Sequence, residues 1–397
     1  MSEPGIGKKT VRDVDVKGKR VLVRADLNVP LENGAVTDDT RIRESLPTIQ
    51  YLLHRGAKVI VCSHLGRPKG RDESLSLAPV AGRLGNLLDR EVLFVDDCIG
   101  PEVEQAVARM SPSQVLLLEN LRFHAEEEQN DPEFATQLAA NADLFVNDAF
   151  GSAHRAHAST EGVTHYLPAV AGFLMEKEVR YLSALVANPP KPFAVVIGGA
   201  KVSTKIAAID HLLPKLDMLF LGGGMANTFL KAVGIDVGSS LVEDDQVETA
   251  RRIVAEARTQ GAAVHFPVDV VAADRFAADA HVTTVPVGQV PHGYMILDIG
   301  PQTVQRYGAA LQSAKAVVWN GPMGVFEMEK FARGSFGIAR AIAGLKATTV
   351  VGGGETAAVV ARAGVENEFT HVSTGGGASL EMLEGRELPG VAALQDA

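Results

Sequence analysis

Residues 195–205 read VVIGGAKVSTK, and this stretch decides the fold class predicted for the chain. An apolar run ends in Gly198 and Gly199, and Lys201 and Lys205 follow. Glycine allows the backbone to approach a ligand closely, and the free N–H groups at a helix N-terminus favour an anion. If a helix begins here, the two lysines are four residues apart and share one face of it. The stretch fits a phosphate site, and it also fits an ordinary strand-to-helix turn with two solvated lysines.

Short runs of apolar and β-branched residues recur along the chain, and a turn and a helical pattern follow each of them. Strands of this length that alternate with helices indicate parallel sheets covered on both faces. The sequence therefore predicts an α/β protein with two doubly wound, Rossmann-like parallel-sheet domains. The predicted strands are 21–23, 58–62, 92–95, 115–118 and 144–146 in the first half, and 193–197, 218–221, 263–267, 316–319, 348–351 and 370–372 in the second.

The predicted domain boundary lies at a helix and a proline-rich connector. Residues 173–187 have apolar residues at helical spacing, and the sequence NPPKP at 188–192 then ends the helix. The residues alone leave open whether the C-terminal tail packs on the first domain. The prediction assigns residues 1–175 to the first domain, 176–187 to the interdomain helix and 188–379 to the second domain.

Composition limits the possible functions. A chain of 397 residues is longer than one typical core, which favours two domains. The net charge of −10 disfavours nucleic acid and anionic membranes as partners. Two cysteines, Cys62 and Cys98, exclude a disulfide framework and are expected to be core thiols. No apolar run reaches about 18 residues, and residues 1–16 lack a signal-peptide pattern, so the expected location is the cytoplasm.

Charged side chains recur at the ends of the predicted strands in the first half. Ligands of open α/β sheets bind beyond the carboxyl ends of the strands. A guanidinium presents a planar fork of donors that matches carboxylate or phosphate oxygens. Each arginine alone also fits a surface ion pair, but their recurrence favours a pocket for a small, multiply charged anion. The strand ends are RADLN (24–28), SHLGR (63–67), ENLR (119–122) and NDAFGSAHRAH (147–157), and Arg41 lies in a predicted loop.

Glycines mark the strand ends of the second half, at 198–199, 222–224, 352–354 and 375–377, with Asn-Gly-Pro at 320–322. One glycine turn serves only the turn, but three triple glycines would expose backbone N–H groups to one crevice, as nucleotide phosphates require. Glu355 fits a Mg²⁺ ligand. It fits equally a carboxylate stabilised by a helix dipole.

Weaker signals point elsewhere. Residues 352–357 match a loose dinucleotide fingerprint, but no acidic residue follows the next strand to bind a ribose. His154 and His157 have the spacing of metal ligands, but no third ligand is near them in sequence, so an anion-contacting or structural role is favoured. No nucleophile with a matching base stands out.

The two halves together suit direct phosphoryl transfer, which needs in-line positioning and charge neutralisation more than a covalent nucleophile. Two ligands on two domains must meet, so hinge closure is expected. One rival is an NAD-dependent oxidoreductase, which only the α/β pattern and the loose glycine match support. Another is a non-catalytic protein that binds a phosphorylated metabolite, which would need neither Lys201 and Lys205 nor the glycine-rich crevice.

Long stretches of the chain resemble the signature sequences of phosphoglycerate kinase, in that family's order and over essentially the whole length. The bacterial type is the nearest in length and wording. The stretches are VRADLNVP (23–30), SHLGRP (63–68), LLENLRFH (117–124), NDAFGSAHRAH (147–157), GGAKVSTK (198–205), LGGGMANTFLK (221–231), VWNGPMGVFE (318–327), GGGET (352–356) and STGGGASLE (373–381).

The resemblance implies a monomeric, two-domain glycolytic enzyme. It would transfer phosphate reversibly from 1,3-bisphosphoglycerate to ADP, giving 3-phosphoglycerate and ATP, with Mg²⁺. It also implies that the tail, about 380–397, returns to the first domain.

The resemblance also implies roles for individual residues. Arg41 would bind substrate and stabilise the moving phosphoryl group, and Lys201 and Lys205 would neutralise nucleotide and transition-state oxygens. The implied phosphoglycerate site is Asp26, Asn28, Arg41, His64, Arg67, Arg122 and Arg155. The implied nucleotide site is Lys205, Gly222, Gly223, Gly224 (adenine side), Asn320, Glu327 (ribose), Gly353, Gly354, Glu355 and Thr356, with Gly354 and Gly377 offering N–H groups to the transferred phosphate.

One residue departs from the family pattern. The family usually has aspartate in the GGGD stretch, and this chain has Glu355. The carboxylate is kept but reaches one methylene further. The hypothesis is that Glu355 still engages the metal-nucleotide.

Overall fold

The structure, a computed structural model, describes residues 6–397. The first five residues of the N-terminal segment used for the signal-peptide expectation lie outside the described part. The chain divides into two compact units. Unit 1 comprises the residues up to Arg180 together with Glu387–Ala397, and unit 2 comprises Tyr181–Arg386. The division falls inside a helix, between Arg180 and Tyr181.

Unit 1 is built on one parallel sheet. Its strand order is β5-β6-β4-β1-β7-β8, and every neighbouring pair is parallel. A two-stranded antiparallel hairpin, β2–β3, lies outside that sheet. The strands are β1 Arg20–Arg24, β2 Leu31–Glu32, β3 Ala35–Val36, β4 Lys58–Cys62, β5 Val92–Val95, β6 Val115–Leu118, β7 Leu144–Asn147 and β8 Ala169–Ala171.

Helices cover the faces of this sheet. They are α1 Thr40–His54, α2 Ala78–Leu88, α3 Pro101–Arg109, α4 Ala125–Glu128, α5 Pro132–Ala139 and α6 Phe173–Ala187, which leads into unit 2. The unit 1 core includes Val21, Val59 and Val146 from strands and Ile49 and Leu84 from helices. The central strands β1, β4 and β7 are buried except at the first residue of β1 and of β4, as a sheet covered on both faces requires.

The start of α6 has a specific cause. Thr48 Oγ1 accepts a hydrogen bond from the N–H of Phe173 at 2.9 Å, and Asp148 Oδ1 accepts one from Leu174 at 2.9 Å. These acceptors satisfy N–H groups that have no partner within the helix. The predicted helix at 173–187 is therefore present with both of its ends.

Unit 2 contains a second sheet of six parallel strands, in the order β11-β10-β9-β15-β16-β17. Trp319, Phe220 and Tyr307 lie in its core. The fold class predicted from the sequence is therefore confirmed. The strands are β9 Phe193–Ile197, β10 Met218–Leu221, β11 Ala263–His265, β12 Asp269–Ala273, β13 Val282–Pro286, β14 Met295–Ile299, β15 Ala316–Asn320, β16 Thr348–Gly352 and β17 His371–Val372.

A separate antiparallel sheet in unit 2 was not predicted. Its order is β13-β12-β14, with a register shift between Val271 and Ala272. The strands β12 to β14 follow one another without helices, so the pattern of alternating strands and helices does not predict them. β8 and the β2–β3 hairpin were missed because they have only three and two residues per strand.

The helices of unit 2 are α7 Ile206–Leu212, α8 Met225–Ala232, α9 Val247–Thr259, α10 Pro301–Leu311, α11 Arg333–Ala343, α12 Gly354–Arg362 and α13 Gly377–Leu383. The chain then returns to unit 1 through α14, Pro389–Ala392. The N–H of Lys9 donates to Gln395 at 2.8 Å, and Lys8 Nζ lies 2.7 Å from Asp396 Oδ1. The two ends of the chain therefore pair within unit 1.

Within residues 6–397, no helix is long and apolar enough to cross a membrane. Both cysteines are buried free thiols, as predicted. Burial raises the pKa of Cys62 to about 12.

Candidate active site

The first candidate site lies at the carboxyl end of β1, beside the point where the strand order of unit 1 reverses. The sheet grows from β1 through β4 on one side and through β7 on the other. Ligands of doubly wound folds bind at such a switch point. Asp26 follows β1 directly and is 6% exposed. Asn28 fixes the neighbouring loop, because its Oδ1 accepts a hydrogen bond from the Gly66 N–H at 2.9 Å.

Arg41 reaches this edge from a helix. The predicted loop at this position is wrong, because Arg41 lies in the first turn of α1. Its Nη1 donates to Asp26 Oδ2 at 2.8 Å, which holds the guanidinium at the strand end. The Arg41 side chain remains 35% exposed, so most of its donors stay available to a ligand.

His64 has a defined protonation state at this edge. Nη2 of the fully buried Arg24 lies 3.0 Å from His64 Nδ1. A guanidinium can only donate, so Nδ1 accepts and the ring proton lies on Nε2. Burial, and then the charges of Arg24, Arg122 and Arg41, lower the pKa of His64 well below its ordinary value. His64 is therefore a neutral donor through Nε2.

A buried carboxylate supports Arg24 from behind. Arg24 Nε donates to Ser159 Oγ at 2.8 Å, and the Ser159 N–H donates to Glu127 Oε2 at 2.9 Å. Glu127 is fully buried. Burial raises its pKa, and the charge of Arg24 opposes that rise. The network therefore holds one buried positive group and one buried negative group in fixed positions.

The sequence predicts three more arginines at this edge, and they differ in their partners and exposure. Arg122 Nη1 donates to the Gly66 carbonyl at 2.8 Å, and its Nε lies 3.1 Å from Glu128 Oε1. Arg155 Nε donates to His154 at 3.2 Å. Arg67 is exposed and forms no ion pair with any residue in the described part of the chain.

The charges of several of these arginines act on the same two histidines, His64 and His157. Burial first, and then Arg122, Arg24 and Arg155, lower the pKa of His157 to about 4. Arg24 and Arg122 act on His64 as well, together with Arg41, so these side chains form a cluster of cations around two neutral histidines. Sequence reasoning missed the supporting roles of Arg24, Glu127 and Ser159, because none of them stands out before the fold brings them into contact.

The second candidate site lies at the switch point of unit 2, between β9 and β15. The two strand ends are joined by backbone hydrogen bonds, from Gly198 N–H to Asn320 at 2.9 Å and from Gly199 N–H to Pro322 at 2.8 Å. Gly199 has φ +97°, which favours glycine. The close approach leaves no room for a side chain, since a Cβ at Gly198 would lie 2.2 Å from the Pro322 carbonyl.

The sequence suggested that Lys201 and Lys205 share one face of a helix. In the structure they do not. A 3₁₀ turn at Val202–Thr204 follows Lys201, and α7 begins only after Lys205. The glycine turn therefore leads into a tighter turn before the helix. Lys201 is exposed, and Lys205 is half-buried and donates to Asn320 Oδ1. Burial lowers the pKa of Lys205, and the charges of Glu355 and Glu384 oppose that shift.

Asn320 and Thr356 lie behind the glycine turns. Asn320 is 1% exposed, and its Nδ2 donates to the Gly352 carbonyl at 2.9 Å. Thr356 is also 1% exposed, and its Oγ1 accepts from the Gly321 N–H at 2.7 Å. Both side chains therefore bind protein groups and fix the backbone of the site.

All three triple glycines precede helix N-termini, as predicted. α8 begins after Gly224, α12 follows Gly353, and α13 follows Gly376. Gly353 has φ +93° and Gly376 has φ +53°. The N-termini of these helices have N–H groups that lack helical partners and suit an anion.

A cavity of about 460 Å³ adjoins these turns. Its walls are mostly apolar, and two carboxylates, Glu327 and Glu355, also line it. Phe276 at its wall is 60% exposed, which is unusual for a phenylalanine. Sequence reasoning found the glycines and carboxylates but missed the apolar wall, much of which comes from β14 of the unpredicted sheet. The other lining residues are Gly199, Ala200, Gly223, Gly224, Leu241, Met295, Ile296, Leu297, Pro322, Gly324, Val325 and Met328.

Comparison with known proteins gives one consistent result. The family described as "Phosphoglycerate kinase" matches residues 11–386. A phosphoglycerate kinase of Moorella thermoacetica is 59% identical over 98% of this chain and 100% of that protein. A cytosolic phosphoglycerate kinase of Triticum aestivum is 57% identical over 98% of each chain. The solved phosphoglycerate kinase of Coxiella burnetii superposes with a TM-score of 0.88 at 41% identity, covering 97% of this chain and 98% of that one.

Proposed function

Because the chain belongs to the phosphoglycerate kinase family, we propose that it catalyses the reversible transfer of phosphate from 1,3-bisphosphoglycerate to ADP, giving 3-phosphoglycerate and ATP. The chain is an enzyme of glycolysis in this proposal. The relatives span its whole length, so both of its units have counterparts in them.

The observation that carries the proposal is the contrast between the two candidate sites. Unit 1 has a cluster of guanidinium groups around neutral histidines, which suits a small anion with several charges. Unit 2 has an apolar cavity beside glycine turns and helix N-termini, which suits a nucleotide. A protein that binds only one metabolite would need the first site alone.

In this proposal the unit 1 residues bind the phosphoglycerate. His64 donates through Nε2 to a ligand oxygen, and Arg41 also stabilises the phosphoryl group during transfer. Asp26 and Asn28 position Arg41 and the Gly66 loop. Arg67, Arg122 and Arg155 neutralise charge, since each still has guanidinium donors available for a ligand.

The unit 2 residues bind the nucleotide. The adenine occupies the apolar cavity beside Gly223 and Gly224, and Glu327 binds the ribose. The N–H groups at Gly354 and Gly377 and the ammonium groups of Lys201 and Lys205 stabilise the transferred phosphate. Gly222, Gly353, Asn320 and Thr356 shape the turns that present these groups.

We also propose Mg²⁺ as the metal ion that accompanies the nucleotide. Mg²⁺ is commonly held by one or two carboxylates together with substrate phosphates. Glu355 fits this need, because it is exposed, lines the cavity and stands in the first turn of α12. The ion, when bound, would neutralise phosphate charge that Lys205 alone does not balance.

Three further points belong to the proposal. The protein acts as a monomer. It acts in the cytoplasm, in keeping with its similarity to a cytosolic relative. The division into a phosphoglycerate-binding unit 1 and a nucleotide-binding unit 2 follows from the roles given above. Reaction requires the two bound substrates to meet, so hinge closure stays a prediction.

The test is ATP- and Mg²⁺-dependent phosphorylation of 3-phosphoglycerate, coupled to glyceraldehyde-3-phosphate dehydrogenase and followed by loss of NADH. Turnover should vanish when either 3-phosphoglycerate or Mg²⁺ is omitted. Folded protein that binds both ligands without turnover, with Mg²⁺ or Mn²⁺, would instead be a non-catalytic binding protein.

A further inference from the structure

Three potential metal ligands converge at an edge of unit 1 that the proposed reaction does not use. Asp97 and Cys98 follow β5, and His124 follows the 3₁₀ turn after β6. One ligand atom of each residue lies within 4.8 Å of the other two. Because β5 and β6 are adjacent parallel strands, their carboxyl ends bring these loops together. We refer to Asp97, Cys98 and His124 as the DCH cluster.

The donor set of the DCH cluster identifies the class of ion. Thiolate sulfur, imidazole nitrogen and carboxylate oxygen are together the ligands of Zn²⁺ and similar borderline-soft divalent ions. Tetrahedral bonds of about 2.0–2.3 Å place ligand atoms roughly 3.3–3.8 Å apart, so small side-chain movements suffice here. Mg²⁺ prefers oxygen ligands alone, so this set disfavours the ion proposed for the nucleotide.

The thiol of the DCH cluster is buried, and the other two side chains are partly exposed to solvent. Cys98 is 1% exposed and forms no disulfide. The side chains of Asp97 and His124 are 42% and 29% exposed, so an ion from solvent can reach the thiol past them. The ring of His124 lies 5.4 Å from the Phe134 ring, which restricts its orientation. His124 Nε2 lies 2.7 Å from Asp97 Oδ1, so two of the three ligand atoms are close together before an ion binds.

We propose that Asp97, Cys98 and His124 bind one Zn²⁺-class divalent ion, with the fourth position open to water. Binding replaces the thiol proton of Cys98, which passes to solvent. The ring proton of His124 moves from Nε2 to Nδ1, so that Nε2, which now faces Asp97, offers its lone pair to the ion. The site does not depend on the proposed kinase activity, although His124 stands two residues after Arg122.

Co²⁺ is the probe, because thiolate coordination gives a charge-transfer band in the near ultraviolet. The metal-free, tag-free full-length protein is titrated with Co²⁺ in excess Mg²⁺, which occupies oxygen-only sites. The expected result is one equivalent of Co²⁺ with a thiolate band and the visible absorption of four-coordinate cobalt. Addition of Zn²⁺ should abolish both signals, and calorimetry in two buffers should show proton release.

Matched variants locate the thiolate. Since the chain has two cysteines, Cys62→Ala is the control and Cys98→Ala the test. The band should persist in Cys62→Ala and vanish in Cys98→Ala, and Asp97→Asn or His124→Ala should weaken binding at least tenfold. Both of these side chains are partly exposed, so their substitution leaves the fold intact, as unfolding temperatures would verify.

The proposal is overturned if the folded wild type gives no thiolate band at millimolar Co²⁺. A band that persists in Cys98→Ala, or Co²⁺ affinity that is unchanged in both His124→Ala and Asp97→Asn, overturns it as well. Kinase assays are not needed for any of these outcomes, so failure of the proposed function would leave this test intact.

Discussion

The two candidate sites prepare for anions in opposite ways. In unit 1 the groups that would meet the ligand are charged or polar side chains, and a buried network of Arg24, Ser159 and Glu127 fixes them. In unit 2 the main groups are backbone N–H donors at glycine turns, with Lys205 as a half-buried cation. A side-chain site must hold its charges against desolvation and repulsion. A backbone site needs only the turn geometry.

Because the two sites are built differently, different substitutions should disrupt them. Unit 1 should be sensitive to removal of a charge, because each buried charge compensates another. Unit 2 should be sensitive to added volume, because its turns approach one another too closely for a Cβ. The expected effects below run from the largest to the smallest.

Arg41→Ala should give the largest effect. If Arg41 stabilises the transferred phosphoryl group, kcat falls by roughly 10³-fold with a much smaller change in KM. Steady-state kinetics with 3-phosphoglycerate varied would measure both constants. Arg43→Ala is the matched control, because Arg43 lies on the same helix but pairs with Asp39. A change in KM alone would make Arg41 a plain binding group.

Arg24→Met should test the buried network. Its removal leaves the buried Glu127 carboxylate without the charge that acts on it most strongly, which should cost about 3 kcal/mol in the free energy of unfolding. Adding Glu127→Gln should recover most of that loss, because the stranded charge is then gone. Urea unfolding of the two single variants and the double variant would measure the coupling. Additive losses would contradict the network.

Gly223→Ala and Gly354→Ala should separate volume from ligand contact in unit 2. A Cβ at Gly223 would lie 2.6 Å from Gly199 backbone atoms at φ +64°, so the free energy of unfolding should fall by about 1–3 kcal/mol. A Cβ at Gly354 would have no atom within 4 Å apart from its chain neighbours and the backbone of its own helix. That variant should keep its stability, as urea unfolding would show, and lose roughly tenfold in ATP affinity by calorimetry if phosphate meets this N–H. Unchanged affinity would remove Gly354 from the phosphate site.

Glu355→Ala should weaken Mg²⁺-nucleotide binding and lower kcat by about tenfold, because the ion loses a carboxylate but keeps the phosphates. Glu355→Asp, which restores the residue usual in the family, should stay within a few-fold of wild type. Calorimetric titration of ATP with and without Mg²⁺ would separate loss of metal from loss of nucleotide. Unchanged Mg²⁺-nucleotide affinity and kcat in Glu355→Ala would rule out the role.

A change of pH should act with opposite sign through His157 in unit 1 and Asp298 in unit 2. His157 has a pKa of about 4 in the folded protein and 6.5 ordinarily, so the unfolded chain takes up its proton first. Its contribution to stability is therefore lost as pH falls from 6.5 towards 4. Burial raises the pKa of Asp298 to about 8 from 3.8, so the folded protein keeps that proton. Its contribution is lost as pH rises through this interval.

Unfolding temperatures between pH 4 and pH 8 would check both signs. His157→Gln should reduce the loss of stability on the acid side, and Asp298→Asn should flatten the loss on the alkaline side. Parallel pH curves for wild type and both variants would contradict the assignments.

The sequence predicts the parallel sheets well because their strands repeat an apolar run, a turn and a helix. It also places Asp26, His64 and Gly354 at strand ends, the edge at which ligands of doubly wound sheets bind. It does not predict that Arg24 fixes the His64 tautomer, because that contact joins residues 40 apart in the chain. Nor does it predict the apolar cavity wall, which depends on antiparallel strands with no helix between them.

Local conformation is also poorly read from spacing. Lys201 and Lys205 are four residues apart, yet a 3₁₀ turn separates them before α7 begins. Arg41 was expected in a loop but lies in the first turn of α1, which begins at Thr40. Arg41 still contacts Asp26 and Lys205 still contacts Asn320, but the backbone that positions these side chains differs from the prediction.

The pairing of the two chain ends within unit 1 has a consequence for biosynthesis. Unit 2 is one continuous segment, Tyr181–Arg386, whereas unit 1 needs Glu387–Ala397 to complete it. A ribosome that makes the chain from its N-terminus therefore supplies all of unit 2 while Lys9 still lacks its partner Gln395. Unit 1, although made first, is the last to be finished, and loss of the final residues would damage it and leave unit 2 whole.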